Sequence, residues 1–236
     1  MLLTRLPVGW LATSAGPGRL ADAVWAFPVV GAVVGGIGGA AFWVCARLGM
    51  PSGVAAVWTL ASMLLATGAL HEDGLADFAD GLGGGRTRER KLEIMRDSRI
   101  GTFGGLALML SLAARGAALA TLAQPARVAV ALIVAAALGR GTIGVLLLTS
   151  APARPDGLAA ELRASRFGRT ALGPGIAVVL AFALLPSGAA FGATMAALGS
   201  ALAIAVIAHR QLCGYTGDVL GAAVVVTECA VLALIA

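Results

Sequence analysis

Residues 71–101 read HEDGLADFADGLGGGRTRERKLEIMRDSRIG and hold seven of the chain's twelve acidic residues and six of its seventeen basic ones. Long runs of Ala, Leu, Val and Gly lie on both sides. If residues 73–80 are helical, Asp73, Asp77 and Asp80 fall at i, i+4 and i+7, so the three carboxylates share one face. Like charges this close repel, and a divalent cation removes the conflict. The stretch therefore predicts a Mg²⁺ site, since Mg²⁺ prefers carboxylate oxygens; the alternative is a solvated acidic face.

The composition indicates an integral membrane protein. Of the 236 residues, 59% are hydrophobic and 12% are charged, against about 25% charged in soluble domains; the mean hydropathy is +0.92. The net charge of +5 does not indicate nucleic acid, because the basic residues gather between apolar segments, as in cytoplasmic loops. The many small residues suit close helix packing and are compatible with a homo-oligomer. Cys45, Cys213 and Cys229 are predicted to be free, buried thiols.

Hydropathy predicts an all-α, polytopic protein with about seven transmembrane helices in one domain, residues 1–236. The predicted spans are residues 24–46, 54–70, 103–122, 126–148, 172–185, 189–208 and 219–236. Residues 1–22 are too short and too interrupted to cross a bilayer, so they are predicted to lie at the lipid interface.

Lys and Arg concentrate in every second connection, which sets the predicted orientation. The basic segments are residues 1–22, 71–101, 149–171 and 209–217. Seven spans with the N-terminus inside place all of them in the cytoplasm. Residues 71–101 are thus predicted to be a cytoplasmic catalytic loop, and a single site can be assembled there from three separate parts of the chain.

The segment RDSRIGT, residues 96–102, is predicted to bind phosphate. Arginine forks match phosphate oxygens, and backbone N–H groups near a helix start add to such a site. Arg96, Ser98 and Arg99 are the candidate substrate-binding residues, with Asp97 among them. His71 adjoins the acidic cluster and is a candidate general base, or alternatively orients a carboxylate.

Four further ionisable residues fall in or beside the predicted spans, where a buried charge is costly. Arg140 is predicted either to pair with an acid or to bind substrate phosphate. Asp218 either caps the last helix or binds metal. Glu228 needs a partner, for which Arg140 is one candidate. Arg115 is expected to snorkel towards the surface and receives no role. The residues together predict Mg²⁺-assisted transfer at a phosphate.

Three blocks of the sequence resemble the cobalamin synthase family, the adenosylcobinamide-GDP ribazoletransferases. They are HEDGLADFADGLGGG (71–85), MRDSRIGTFGGLAL (95–108) and GYTGDVLGAAVVVTE (214–228). The resemblance implies a Mg²⁺-dependent enzyme of the bacterial inner membrane, facing the cytoplasm, that completes the nucleotide loop of vitamin B12. The 5′-hydroxyl of α-ribazole, or its phosphate form, is expected to attack adenosylcobinamide-GDP, releasing GMP and forming adenosylcobalamin or its 5′-phosphate.

The resemblance also implies roles for individual residues. Those implied to be metal-binding or catalytic are Glu72, Asp73, Asp77 and Asp80; those on the phosphate side are Asp97, Ser98 and Arg99; Asp218 is a further acid at the substrate. Asp80 is the expected base, or His71 if metal occupies the carboxylates. The family often has polar residues where Val224–Val226 stand, so a role for Glu228 has less support.

Two other functions fit the sequence less well. A lipid-making transferase with a CDP-activated donor has Ala-Arg after its Asp-Gly pair and spaces its later aspartates differently. A secondary transporter is expected to hold its acids midway through the membrane and to show inverted repeats, whereas the acids here cluster at one face.

Overall fold

The computed structural model describes residues 3–5, 19–163 and 165–236, so most of the predicted interfacial segment lies outside the described residues. The described residues are predominantly helical, which confirms the all-α prediction. The helices are α1 (Arg19–Asp22), a 3₁₀ turn (Val24–Ala26) that leads into α2 (Phe27–Arg47), α3 (Ser52–Thr67), α4 (Leu70–Gly84), α5 (Arg88–Ile94), α6 (Thr102–Leu122), α7 (Pro125–Thr149), α8 (Leu158–Leu162), α9 (Phe167–Leu184), α10 (Ser187–Leu212) and α11 (Gly217–Ile235).

Six of the helices in the described part of the chain are long and apolar enough to cross a membrane, and the count is seven if the bent pair α3–α4 is taken as one span. The six are the 3₁₀ turn with α2, then α6, α7, α9, α10 and α11. This agrees with the predicted number. Helix α9 begins at Phe167, five residues before the predicted start, because Pro174 is accommodated inside it where Gly144 of α7 leaves room for its ring.

The acidic stretch is mostly helix, which corrects the prediction of a loop at residues 71–101. Helix α3 ends before Gly68 and Ala69, whose φ angles are +67° and +56°. Glycine adopts this left-handed conformation without strain, and two such residues in succession break the helix. Helix α4 then leaves at 92° to α3. It buries eight of its fifteen residues and packs on α6 and α11, and the charged α5 follows it.

Helix α7 forms the centre of the bundle, and every residue from Val134 to Gly144 is buried. Helix α2 packs so closely against α7 that their backbones are in contact. A Cβ atom on Gly35 would lie 2.5 Å from the Leu132 carbonyl oxygen, and one on Gly39 would lie 2.7 Å from the Ala129 Cβ. Small residues therefore set the α2–α7 spacing, as expected for packing in a membrane.

The connections that carry most of the charge meet at one end of the bundle, here called the charged end: α4, α5, residues 150–157 and residues 213–216. The Arg88 guanidinium of α5 donates to the carbonyl oxygens of Leu212 at 2.8 Å and Ala153 at 2.7 Å. The Tyr215 N–H donates to the Ala151 carbonyl at 2.9 Å. The prediction that three separate parts of the chain come together is confirmed.

The cysteines depart in part from expectation. All three are free, and Cys45 is buried. Cys229 is half-buried, and Cys213 is exposed at the charged end, where it occupies the left-handed position (φ +59°) that ends α10.

Replacing Gly35 with Ala should lower the free energy of unfolding by about 1–3 kcal/mol, the usual cost of overpacking. Gly36 is the matched control, because a Cβ there meets nothing within 4 Å, and Gly36→Ala should leave stability unchanged or raise it by about 0.4–1 kcal/mol. Thermal or denaturant unfolding of the purified protein in detergent measures both. Equal effects of the two substitutions would contradict backbone contact between α2 and α7.

Candidate active site

Helix α4 presents its acids as the sequence predicted, and one acid from α11 joins them. Asp73 is exposed and Asp77 is half-buried. Asp218 lies beside them, since a Cβ on the neighbouring Gly74 would be 3.0 Å from the Asp218 Cα and Asp73 and Asp218 line the same cavity. No salt bridge among residues 3–5, 19–163 and 165–236 involves Asp73, Asp77 or Asp218, so none of these three carboxylates has a cationic nitrogen within 4 Å.

Asp80 differs from the other acids because both of its oxygens are engaged. It is buried, and it accepts hydrogen bonds from the N–H groups of Gly101 at 2.7 Å and Gly104 at 2.8 Å. These groups belong to the first turn of α6, whose N–H donors have no partner within the helix. Gly101 has no side chain with which to cap α6, so α4 provides the cap. Roles of Asp80 in metal binding and catalysis stay predictions.

Asp218 lies at the start of α11 but does not cap it. The cap is Thr216, whose hydroxyl oxygen accepts from the Val219 N–H at 3.3 Å and donates to the Asp218 carboxylate at 3.1 Å. A Cβ on Gly74 would lie 3.0 Å from the Asp218 Cα, so α4 and α11 touch here. The capping role of Asp218 is thus excluded, and its role in metal or substrate binding stays a prediction.

A cavity of about 130 Å³ opens between α4, α8 and α11 and has Asp73 and Asp218 in its wall. His71 also lines it, together with several apolar side chains. The acidic cluster therefore adjoins a space that a small molecule or part of a larger one can enter.

Beneath the cluster, two arginines and two glutamates form a buried network that joins four helices. Arg115 of α6 lies 3.0 Å from Glu72 of α4 and 3.0 Å from Glu228 of α11. Arg140 of α7 also pairs with Glu228. All four residues are at least nine-tenths buried, and their formal charges sum to zero.

The network overturns the expectation for Arg115 and bears out one of the two alternatives for Arg140. Arg115 does not snorkel: it is 3% exposed and pairs with two carboxylates. Hydropathy shows how far along a span a residue lies but not which face of the helix carries it. Arg115 lies on the face of α6 that meets Glu72. Arg140 has the acid partner that was one of its two alternatives, so a role in gripping substrate phosphate stays a prediction.

His71 lies at the edge of this network. Its Nδ1 atom is 3.4 Å from the Nη2 of Arg140. Arginine has only donors, so Nδ1 accepts this bond and the ring proton resides on Nε2.

The predicted phosphate-side segment lies exposed between α5 and α6. Arg96 pairs with Asp156 at 2.9 Å, and Arg99 pairs with Asp97 at 2.6 Å. Hydrogen bonds from Arg99 lower the pKa of Asp97 to about 2. Ser98 is exposed beside them. Their roles in catalysis and binding stay predictions.

The family model described as Cobalamin-5-phosphate synthase matches residues 1–236. The chain belongs to this family. Its relatives among cobalamin-5-phosphate synthases include proteins named adenosylcobinamide-GDP ribazoletransferase. One from Bradyrhizobium diazoefficiens is 48% identical over 93% of this chain and 84% of its own length. A second, from Mesorhizobium japonicum, is 43% identical over 90% of this chain and 82% of its own length. A third, from Rhizobium johnstonii, is 42% identical over 99% of this chain and 93% of its own length. No solved structure matches the chain.

The substitution Glu228→Gln should destabilise the protein strongly, because it leaves Arg115 and Arg140 buried with one carboxylate between them. Loss of one partner from a buried pair costs about 3–5 kcal/mol. Asp156→Asn is the matched control. It breaks an exposed pair, in which the side chain of Asp156 is 66% exposed and that of Arg96 is 58% exposed, and it should cost about 0–1 kcal/mol of stability. Unfolding of the two variants in detergent measures the stability that each loses. Similar losses for Glu228→Gln and Asp156→Asn would contradict the structural importance of the network.

Proposed function

We propose that the chain transfers the adenosylcobinamide phosphate moiety from adenosylcobinamide-GDP to α-ribazole or α-ribazole 5′-phosphate and releases GMP. Family membership and the names of the relatives support this reaction. The observation that carries the proposal is the grouping of Asp73, Asp77 and Asp218, which form no salt bridge in the described part of the chain, at the same end of the bundle as an exposed arginine segment. Transfer between phosphates needs both anionic metal ligands and cationic phosphate contacts.

The donor set fits Mg²⁺, although within the described residues no three His, Cys, Asp or Glu side chains form a ready-made metal cluster. Mg²⁺ usually takes one or two protein carboxylates and completes its shell with water and substrate phosphates. Asp73 and Asp77 of α4 and Asp218 of α11 are the residues we assign to hold it. Asp218 replaces Asp80 of the predicted trio because Asp80 already accepts two backbone N–H groups. When bound, the cation neutralises charge on the transferring and leaving phosphates.

The chemistry of the two acceptors identifies the attacking group. The 5′-hydroxyl expected from the sequence is esterified in α-ribazole 5′-phosphate, so the nucleophile common to both acceptors is a ring hydroxyl of the ribose. Its oxygen attacks the phosphorus on the corrinoid side, the P–O bond to the second phosphate breaks, and GMP leaves.

The hydroxyl proton passes, in this proposal, to an oxygen of the Asp73, Asp77 and Asp218 cluster. The two bases expected from the sequence are both engaged: Asp80 accepts from α6, and the Nδ1 of His71 accepts from Arg140. Arg99, whose side chain is 87% exposed, is the basic group we assign to the departing nucleotide. Arg140 is too deeply paired to serve there.

The substitutions Asp73→Asn, Asp77→Asn and Asp218→Asn should each lower GMP release at least ~100-fold, about 2.7 kcal/mol of barrier. The assay uses purified protein in liposomes with adenosylcobinamide-GDP, α-ribazole and Mg²⁺. Removal of Mg²⁺ with a chelator should stop the release, and restored Mg²⁺ should recover it.

Glu89→Gln is the control, because Glu89 lies on the charged α5 with a side chain that is 77% exposed, and it should retain full activity. Full activity in all three aspartate variants would remove the acidic cluster from the reaction. A folded wild-type protein that releases no GMP under these conditions would refute the proposed function.

We further propose that the protein lies in the bacterial inner membrane with its charged end in the cytoplasm, as the distribution of Lys and Arg favours. Cys213 reports on this orientation because it is the exposed cysteine at that end. A membrane-impermeant maleimide should label it in inside-out vesicles and not in sealed cells, and Cys213→Ser should abolish the labelling. Labelling from the outer side would reverse the orientation.

A further inference from the structure

The connection between α7 and α9 touches the candidate site on both sides of Arg154. Before Arg154, the Ala153 N–H donates to the Tyr215 carbonyl at 2.7 Å, in the segment that leads directly into α11. After Arg154, helix α8 lines the cavity that has Asp73 and Asp218 in its wall. The backbone that carries Arg154 is thus anchored beside the acidic cluster at two points.

The same connection also reaches the arginine segment, residues 96–102. Asp156, two residues after Arg154, pairs with Arg96 at 2.9 Å. The Nη2 of Arg154 donates to the Leu92 carbonyl of α5 at 2.8 Å, and α5 is the helix that precedes this segment. Arg154 therefore lies between the acidic cluster and the arginine segment. A substrate phosphate that contacts both of them must pass close to it.

The guanidinium of Arg154 retains a nitrogen that can contact an anion. The residue is half-buried. Of its three nitrogens, Nη2 is bonded to the Leu92 carbonyl and Nε is enclosed. Within the described residues, Nη1 makes no hydrogen bond, and it is not among the enclosed atoms that lack a partner. Nη1 is therefore the donor that an incoming anion can reach.

The charges around Arg154 favour an added anion. Within the described residues Arg154 forms no salt bridge, whereas Arg96 has Asp156 as its partner. Burial lowers the pKa of Arg154 and the charge of Arg96 lowers it further, while Asp218 and Asp156 act in the opposite direction. Arginine nevertheless stays protonated in proteins. Its partly buried charge is therefore stabilised when a phosphate binds beside it.

We propose that Arg154 donates from Nη1 to the phosphate that is transferred with the corrinoid, and that it stabilises the charge that develops there during the reaction. The inference rests on the proposed function. Arg154 supplies the cation at the reacting phosphorus, beside the acids assigned to the metal, while Arg99 contacts the departing nucleotide. Because Arg154 is half-buried, its contact with phosphate is less weakened by water than that of an exposed arginine.

The first test is the kinetics of Arg154→Gln in the GMP-release assay. The substitution should lower kcat about 100-fold, the usual effect of one missing donor to a transition state. The KM for α-ribazole should stay within about twofold of wild type. GMP carries only the departing phosphate, so its inhibition constant should also stay within about twofold. A raised inhibition constant for GMP with little loss of kcat would place Arg154 at the departing phosphate and overturn the inference.

Two further variants separate contact with phosphate from other roles. Arg154→Lys keeps the charge without the planar fork, so it should recover about tenfold of the lost kcat. A purely structural role, in which Arg154 only holds α5 through Leu92, would leave Arg154→Lys no better than Arg154→Gln. Arg90→Gln is the matched control for charge, because Arg90 lies on α5 with a side chain that is 58% exposed. It should retain full kcat, and an equal loss would assign the effect to the net charge of this end.

The outcomes separate this inference from the function on which it rests. Wild-type protein that releases no GMP refutes the function. Active wild type combined with full activity of Arg154→Gln refutes the inference alone. If Arg154→Gln does not fold, Arg154→Lys decides the question, since a wild-type kcat in that variant would contradict the need for the guanidinium.

Discussion

The ion pairs among Glu72, Arg115, Glu228 and Arg140 are the constraint on which the arrangement of the charged end depends. Each charge is almost fully buried in a helix bundle, where an unpaired charge costs several kcal/mol. Each glutamate has at least one arginine and each arginine has at least one glutamate. Satisfying all four charges together requires the first turn of α4 to lie against α6 and α11, so the network fixes the helix that carries the acidic cluster.

Helix α4 is held at both ends, and this divides its four acids into two kinds. Glu72 anchors the first turn through Arg115, and Asp80 anchors the last part through the N–H groups of α6. Asp73 and Asp77 lie between these anchors without ion-pair partners in the described chain. Because the anchors prevent α4 from rotating, the two remaining carboxylates are presented to Asp218 at fixed positions. Preorganised charge of this kind is what stabilisation of a phosphoryl transfer requires.

The sequence predicts the repeating features of the fold well and its individual contacts poorly. Hydropathy locates the spans, and the i, i+4, i+7 spacing places Asp73, Asp77 and Asp80 on one face, because both depend on local periodicity. The prediction that Arg115 snorkels is wrong, because its partner Glu72 is 43 residues away and only the folded chain shows which helix faces meet. The sharp turn after α3 is also missed, because it depends on Ala69, which rarely adopts a left-handed conformation.

Two glycines of the bundle make room for its buried ion pairs. A Cβ on Gly31 of α2 would lie 2.9 Å from the Cδ of Arg140, and one on Gly139 would lie 3.3 Å from the Cγ of Glu228. The missing side chains leave the space through which Arg140 reaches Glu228. Composition alone indicates only that small residues favour close helix packing. At these two positions the same residues also make room for the ion pair, so a larger side chain there would disturb the network that positions the acidic helix.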